Sequence, residues 1–336
     1  MEAGIQENRQ LTNHMTKTEL ARGFITRFPD AENRTIARVM FKEKPKVFVS
    51  LDAARCLIRT LRGAHGGQVA ADKTAMKPLG WQKNVIPKTQ ATEREDFLIS
   101  GKNRVLVLSD IHVPYHDTKA LQTAIAHGKK QNPTVILLNG DVGDFYGASA
   151  HDKDPRRSLS AELDSIRQFL FYLRAQFPKA RILYKIGNHE TRMERYLTKN
   201  APVVLGVPDF EIQHLLKFAD MGIELVESLQ ITRLGRLPVI HGHELPKGGG
   251  VNPARWLWLK LDETAMCGHF HKTSENIEAT GLQKKITNNW SLGCLCDLSP
   301  DYAITNRWNH GFATVEVSAS DDYVVTNHKI INGRIY

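Results

Sequence analysis

Five times between residues 104 and 271 a short apolar run stops on aspartate, asparagine or histidine. Arg104-Val105-Leu106-Val107-Leu108 leads into Asp110-Ile111-His112, and Thr134-Val135-Ile136-Leu137-Leu138 leads into Gly140-Asp141-Val142-Gly143-Asp144. Arg181-Ile182-Leu183-Tyr184-Lys185-Ile186 runs into Gly187-Asn188-His189-Glu190. Leu237-Pro238-Val239-Ile240 runs into His241-Gly242-His243, and Thr264-Ala265-Met266-Cys267 into Gly268-His269-Phe270-His271. Runs of this length, rich in β-branched residues and stopped by turn signals, read as buried strands. Ligands of parallel sheets gather at the carboxyl ends of strands, so each run delivers a polar group where chemistry is usually placed.

The rest of the chain fits around this α/β region. Thr16-Lys17-Thr18-Glu19 has capping-box spacing, and Leu20, Phe24, Ile25 and Phe28 then recur at helical intervals until Pro29. A second helix is expected over residues 33–44, stopped by Pro45, and a third from the Ser50 cap to Gly63. Residues 1–65 are therefore read as a small helical domain, 66–100 as a Gly-, Lys- and Pro-punctuated linker, and 101–336 as the α/β domain. Within it, helical patterns at residues 118–130 and 160–177 alternate with the strands, as in βαβ units. Residues 191–235 read as mostly helical, a cap near the site. Segments 289–292, 312–317 and 323–326 read as an antiparallel closing set.

Taken singly, each polar motif is weak; His241 or His269 alone is more often a hydrogen-bonded core histidine. Five in one order, each after a strand, are hard to explain by packing. Buried carboxylates and imidazoles are costly unless something pairs them, and a divalent cation does so.

In this order the motifs resemble the calcineurin-like metallophosphoesterases: Asp-x-His, Gly-Asp-x-x-Asp, Gly-Asn-His-Glu, a later His, then Gly-His-x-His, over residues 110–271. The resemblance implies a four-layer α/β/β/α sandwich and two divalent metal ions bridged by one aspartate. Position by position, Asp110, His112 and His271 would hold one ion and Asn188, His241 and His269 the other, with Asp141 bridging. His189 would be the catalytic imidazole near the leaving group, and Asp144 a supporting carboxylate. Either histidine of His241-Gly242-His243 could be the ligand; His241 is preferred because it is closer to the strand. Mixed carboxylate, amide and imidazole ligands suit Mn, Fe or Zn rather than an all-oxygen Mg site. Arg192, His151, His243 and the pair Arg156-Arg157 are candidate substrate contacts. In Ser/Thr protein phosphatases of this family the motif continues into Arg-Gly; here Phe145-Tyr146 follow Asp144. A nuclease or phosphodiesterase branch fits better.

Charge points to the substrate class. The net charge is +9, and between Arg34 and Ala91 twelve basic side chains face three acidic ones, an excess equal to the whole. A basic segment beside such a site suggests a polyanion, nucleic acid or a nucleotide. The three basic helices resemble a helix-turn-helix unit; a plain three-helix support is the alternative reading. No apolar run approaches the roughly 20 residues that span a bilayer. Met1 to Gln10 is polar, unlike a secretory signal. The four cysteines fit a reducing compartment, so a cytoplasmic location is expected; Cys294-Leu295-Cys296 reads as buried strand residues rather than a soft-metal pair. The competing functions are a phosphomonoesterase of small phosphates and a nucleic-acid-binding protein with a vestigial metal site.

Overall fold

The computed structural model describes residues 15–63, 86, 88–150, 154, 156–246 and 248–336. The chain divides into two compact units, residues 1–90 and 91–336, so the division falls inside the stretch read as linker.

In the first unit, α1 (Lys17–Arg27), α2 (Asn33–Glu43) and α3 (Leu51–Leu61) form as their caps foretell. Thr16 Oγ1 accepts the Glu19 N–H while the Glu19 carboxylate accepts that of Thr16, and Ser50 caps α3. Phe24, Ile36, Met40 and Ile58 meet in one small core. Arg62 is not a free cation: its guanidinium donates to the carbonyls of Phe28, Pro29 and Ala31 and to Asn33 Oδ1. It is thus a clamp on the α1–α2 turn. Arg34, Arg38, Lys42, Arg55 and Arg59 remain exposed.

The second unit is built on two sheets. Its strands are β1 (Phe97–Ile99), β2 (Asn103–Leu108), β3 (Val135–Asn139), β4 (Arg181–Lys185), β5 (Ile223–Val226), β6 (Thr232–Leu234), β7 (Leu237–Ile240), β8 (Ala265–Cys267), β9 (Ser274–Ala279), β10 (Ile286–Ser291), β11 (His310–Val317), β12 (Tyr323–Ile331) and β13 (Arg334–Ile335). One sheet runs β13-β12-β11-β2-β3-β4-β5, the other β1-β6-β7-β8-β10-β9. Strands β2 to β5 are parallel neighbours, and the crossover helices α4 (Thr118–Gln131) and α5 (Leu159–Gln176) join β2 to β3 and β3 to β4.

Burial on both faces explains the unbroken apolar runs. Val105, Val107, Val135, Leu137 and Leu183 point inward and meet Leu234, Val239, Met266 and Trp290 of the other sheet. Their alternates Leu106, Leu108, Ile136, Leu138 and Ile182 point outward and pack on α4 and α5. A helix over Pro253–Leu261 covers the far face through Leu257, against Ile240, Ala265 and Cys267. The expected four-layer α/β/β/α sandwich is the observed one.

Three local expectations need correction. Phe97–Ile99, read as linker, is a strand paired with β6, more than 130 residues later in sequence, which a three-residue run does not announce. Residues 191–235 hold α6 (Thr191–Asn200) and shorter helical turns but also β5 and β6, so the segment completes both sheets. In the closing set, β10 pairs antiparallel with β9 but parallel with β8.

Candidate metal centre

The ends of β2, β3, β4, β7 and β8 lie together, and the groups their loops carry converge. Asp141, His241 and His269 offer ligand atoms within 4.8 Å of one another, and so do Asp110, His112 and Asp141. Asp141 belongs to both of these groups, whereas two further groups, His112-His271-Cys296 and His112-Asp144-His189, do not contain it. Its Oδ2 lies 3.2 Å from His241 Nε2, 3.8 Å from His189 Nε2 and 3.9 Å from His112 Nε2. His271 Nε2 is 3.3 Å from Asp110 Oδ1, and Asn188 Oδ1 is 3.2 Å from His241 Nε2. Asp110, His112, Asp141 and His241 are buried, with 3% exposure or less.

The backbone is bent to achieve this. Asp110, His112, Asp141, His269 and His271 all have left-handed φ, between 51° and 68°. That region disfavours residues with a side chain by about 1–3 kcal/mol each, and such strain clusters where function over-determines it. Two glycines permit the close approach. A Cβ at Gly187 would overlap the Asp141 carboxylate, and one at Gly268 would overlap the Ser109 hydroxyl and the Asp110 carboxylate.

The imidazoles fit a cation. His241 Nδ1 is 2.7 Å from the Asn139 carbonyl, which can only accept, so Nδ1 carries the proton. The Nε2 lone pair of neutral His241 would then face two oxygens, Asp141 Oδ2 and Asn188 Oδ1. His112 Nδ1 is likewise backed by Asp144 Oδ1 at 3.3 Å, and His271 Nδ1 by Cys296 Sγ at 3.7 Å. The Nε2 atoms of His112 and His271 then face each other at 3.2 Å. Lone pairs aimed at lone pairs need positive charge between them. Burial alone would depress His241, but the charges of Asp141, Asp110 and Glu244 outweigh it and raise it to about 10. Burial, then His189, holds His112 down to about 4; burial, then His241, does the same for His269. Burial opposes ionisation of Asp110 and Asp141, yet the facing imidazoles keep both well below the usual carboxylate range. Ionised carboxylates and imidazole lone pairs are the donor set a divalent cation takes.

His189 stands over this centre. Its N–H donates to Asp141 Oδ1 and its Nδ1 lies 3.0 Å from Asp144 Oδ1. Arg192 donates from Nη1 to the Asp144 carbonyl and from Nη2 to His189 Nε2 at 2.9 Å. Burial lowers His189, but Asp141 and Asp144 raise it on balance. An imidazolium cannot accept from a guanidinium, so the observed pairing is that of neutral His189, and protonation requires Arg192 to turn away. Of the other candidates, His243 is directed to Ser228 Oγ at 2.8 Å rather than to Asp141. Arg156 is exposed and paired with Asp154. Arg157 lies over two tyrosine rings. His151 falls outside the described residues.

Several residues given no role by the sequence reading support the site, Glu190 among them, which appeared there only as a member of the Gly-Asn-His-Glu motif. Glu190 accepts N–H groups from Asp141, Val142, Gly143 and Gly187, and the Tyr184 hydroxyl, tying the β3 and β4 loops together. Lys185 Nζ, fully buried, reaches Glu244 Oε1 at 3.0 Å and the carbonyls of Glu227, Ser228 and Gln230; more than two acceptors require an ammonium. Glu244 in turn accepts the N–H groups of His241 and Gly242. Glu162 accepts the Phe145 N–H beneath Asp144. Nothing local marks Lys185 or Glu162; Cys296, read from the sequence as a buried strand residue, is buried but lies outside the named strands, in a group with His112 and His271 that could hold a metal. A separate cleft of about 370 Å³ opens behind α6, lined by Met193, Leu197, Val204, Phe210 and Leu225, and holds none of the candidate metal-binding residues.

Comparison with known proteins identifies the family. A family model described as calcineurin-like phosphoesterase matches residues 103–282. The gene 54 protein of Mycobacterium phage L5 is 25% identical over 232 residues, 64% of this chain and 89% of that protein. Its counterpart in Mycobacterium phage D29 is 24% identical over 235 residues, 65% and 90% of the two chains. Among solved structures, YfcE, a phosphoesterase from E. coli, aligns with a TM-score of 0.28 at 13% identity, over 66% of this chain and 98% of that one. A Vps29 single mutant from Entamoeba histolytica aligns with a TM-score of 0.36 at 16% identity, over 69% and 96%.

Proposed function

The chain belongs to the calcineurin-like phosphoesterase family, hydrolases of phosphoester bonds, and from that premise we propose that it cleaves a phosphodiester in nucleic acid or a nucleotide with two divalent cations. The observation that carries the two-cation reading is that Asp141 belongs both to the group with His241 and His269 and to the group with Asp110 and His112. Asp110, His112 and His271 would hold one ion, Asn188, His241 and His269 the other, and Asp141 both. The chemistry such ions supply when bound is acidification of a water and neutralisation of phosphoryl charge.

The chain's own residues do the rest. Asp144 fixes the rings of His112 and His189 by accepting from their Nδ1 atoms. Arg192 is positioned to exchange His189 for a substrate phosphoryl oxygen. His189, released from the guanidinium and raised by Asp141 and Asp144, can then hold a proton at Nε2 for the departing alkoxide. Where the family's protein phosphatases carry a phosphate-gripping arginine, Phe145 is buried in the core, which favours a diester over the more highly charged monoester.

Rates on bis-p-nitrophenyl phosphate and p-nitrophenyl phosphate, with Mn added, test this. Turnover of the diester is expected; turnover of the monoester alone would remove the diesterase reading. A polymeric substrate would use the exposed cations of the first unit. Replacing Arg34, Arg38, Arg55 and Arg59 by glutamine in the full chain should make the salt dependence of DNA or RNA binding shallower, by a slope of about 0.7–0.9 for each phosphate no longer neutralised. Unchanged slopes would assign the basic helices a purely structural role.

A further inference from the structure

Beside the metal centre the chain presents a face that hydrolysis does not use. Residues 297–309 form neither helix nor strand, yet the segment is firmly tied. Asn306 Nδ2 donates to the carbonyls of Leu298 and Ala303, both at 2.7 Å, and Asn306 Oδ1 accepts the Trp308 N–H. Asn309 donates its N–H to the His271 carbonyl and exchanges two hydrogen bonds with Thr273. Trp308 is thus anchored on both sides. Its ring lies 4.2 Å from that of His271, centroid to centroid, and Tyr302 lies 6.2 Å beyond. Trp308 is half-buried and Tyr302 is 74% exposed.

Phosphate chemistry needs cations and hydrogen-bond donors; it has no use for partly exposed rings. Leaving Tyr302 uncovered and Trp308 only half-buried at the edge of a polar centre forgoes part of their burial. Asn306 and Asn309 keep the segment pre-organised, so a planar ligand would lose little ordering entropy on binding there. Nearby, Arg157 Cζ sits 4.5 Å from the Tyr146 ring centre and 4.9 Å from that of Tyr115, and its Nη2 is 3.6 Å from Asp301, the neighbour of Tyr302. Planar groups and a guanidinium beside a phosphate-handling centre are the parts from which base-stacking platforms are made.

We infer that Trp308 and Tyr302 form a nucleobase-stacking subsite for the nucleoside whose phosphate occupies the metal centre. The inference deepens the phosphodiester reading and rests on it for the position of the phosphate. The subsite selects for a base without selecting which base, since every base has a π-face. Trp308 also packs against His271, so a purely supporting role for the indole must give a different result.

Binding separates the two without turnover. The probes are AMP and ribose 5-phosphate, which differ only in the base, titrated calorimetrically into full-length protein loaded with Mn, with metal content measured on each sample. AMP is expected to bind wild type about tenfold more tightly or better, within the range of one aromatic stack. Trp308→Ala should abolish that advantage, Tyr302→Ala should reduce it, and Trp308→Phe should keep most of it. Ribose 5-phosphate should bind all four proteins alike. Equal binding of the two probes to wild type, or no binding of either, overturns the subsite. So does a loss that strikes both probes equally in Tyr302→Ala, which does not touch His271. Diester turnover is not read here, so an inactive wild type that still prefers AMP would sink the diesterase reading and leave the subsite standing.

Discussion

In the proposed metal centre, the half that Asp110, His112 and His271 would form and the half that Asn188, His241 and His269 would form share Asp141 but are backed by different chemistry. Behind His241 stand a carbonyl, from Asn139, and the loop held by the buried Lys185–Glu244 pair. Behind His112 and His271 stand a carboxylate, Asp144, and a thiol, Cys296, with Glu162 beneath. One half is braced by a full ion pair in the dry interior; the other leans on groups that titrate or bond weakly. The difference teaches that similar ligand sets need not be held with equal firmness.

The largest expected effect falls on the braced half. Lys185→Met leaves Glu244 charged and buried without its partner, and should lower stability by about 3–5 kcal/mol. Burial drags Lys185 down, while Glu244, which burial alone would raise, is held near 2 by Lys185, His243 and His241. Urea unfolding of Lys185→Met and of Lys185→Met with Glu244→Gln checks this; the double variant should recover part of the loss. A shift below about 1 kcal/mol, the range of a solvated surface pair, would mean the pair braces nothing.

On the other half, Glu162 makes stability depend on pH. Burial, with Asp144 adding to it against the Phe145 N–H, raises its carboxyl from 4.5 to about 7. Folding therefore favours the protonated acid. Stability from this group is full below about pH 4.5 and is lost as pH rises through 7, by about 3 kcal/mol in all. In metal-free protein, Glu162→Gln should remove that slope and be relatively more stable above pH 7. A slope identical to wild type would show that Glu162 is ionised throughout.

The smallest expected effect is at the thiol. Cys296→Ala takes the acceptor from His271 Nδ1, freeing the ring to adopt the wrong tautomer, and should weaken one of the two metal affinities about tenfold. Cys296→Ser should restore it, and the second affinity should not move. Equal weakening of both would erase the distinction between the halves.

Much of this centre was legible because strand-end position and residue type coincide: an apolar run fixes where the chain turns, and Asp, Asn or His after it fixes what arrives there. The same logic could not see the braces. Lys185 reads as one more residue of β4, Glu162 as a polar position on α5, and Cys296 as a small strand residue; each acts through a partner distant in sequence. Left-handed φ at Asp110, His112, Asp141, His269 and His271 was equally silent, since no glycine marks those positions. The short strands β1, β5 and β6 were missed because three or four residues carry too little periodicity, and only their pairing defines them.

The shared aspartate is tested most directly by counting metal per chain after Mn loading and gel filtration. Wild type should retain two ions, His241→Ala and His271→Ala one each, and Asp141→Ala neither. A wild type that retains a single ion, or an Asp141→Ala protein that keeps both, would contradict a centre bridged at Asp141.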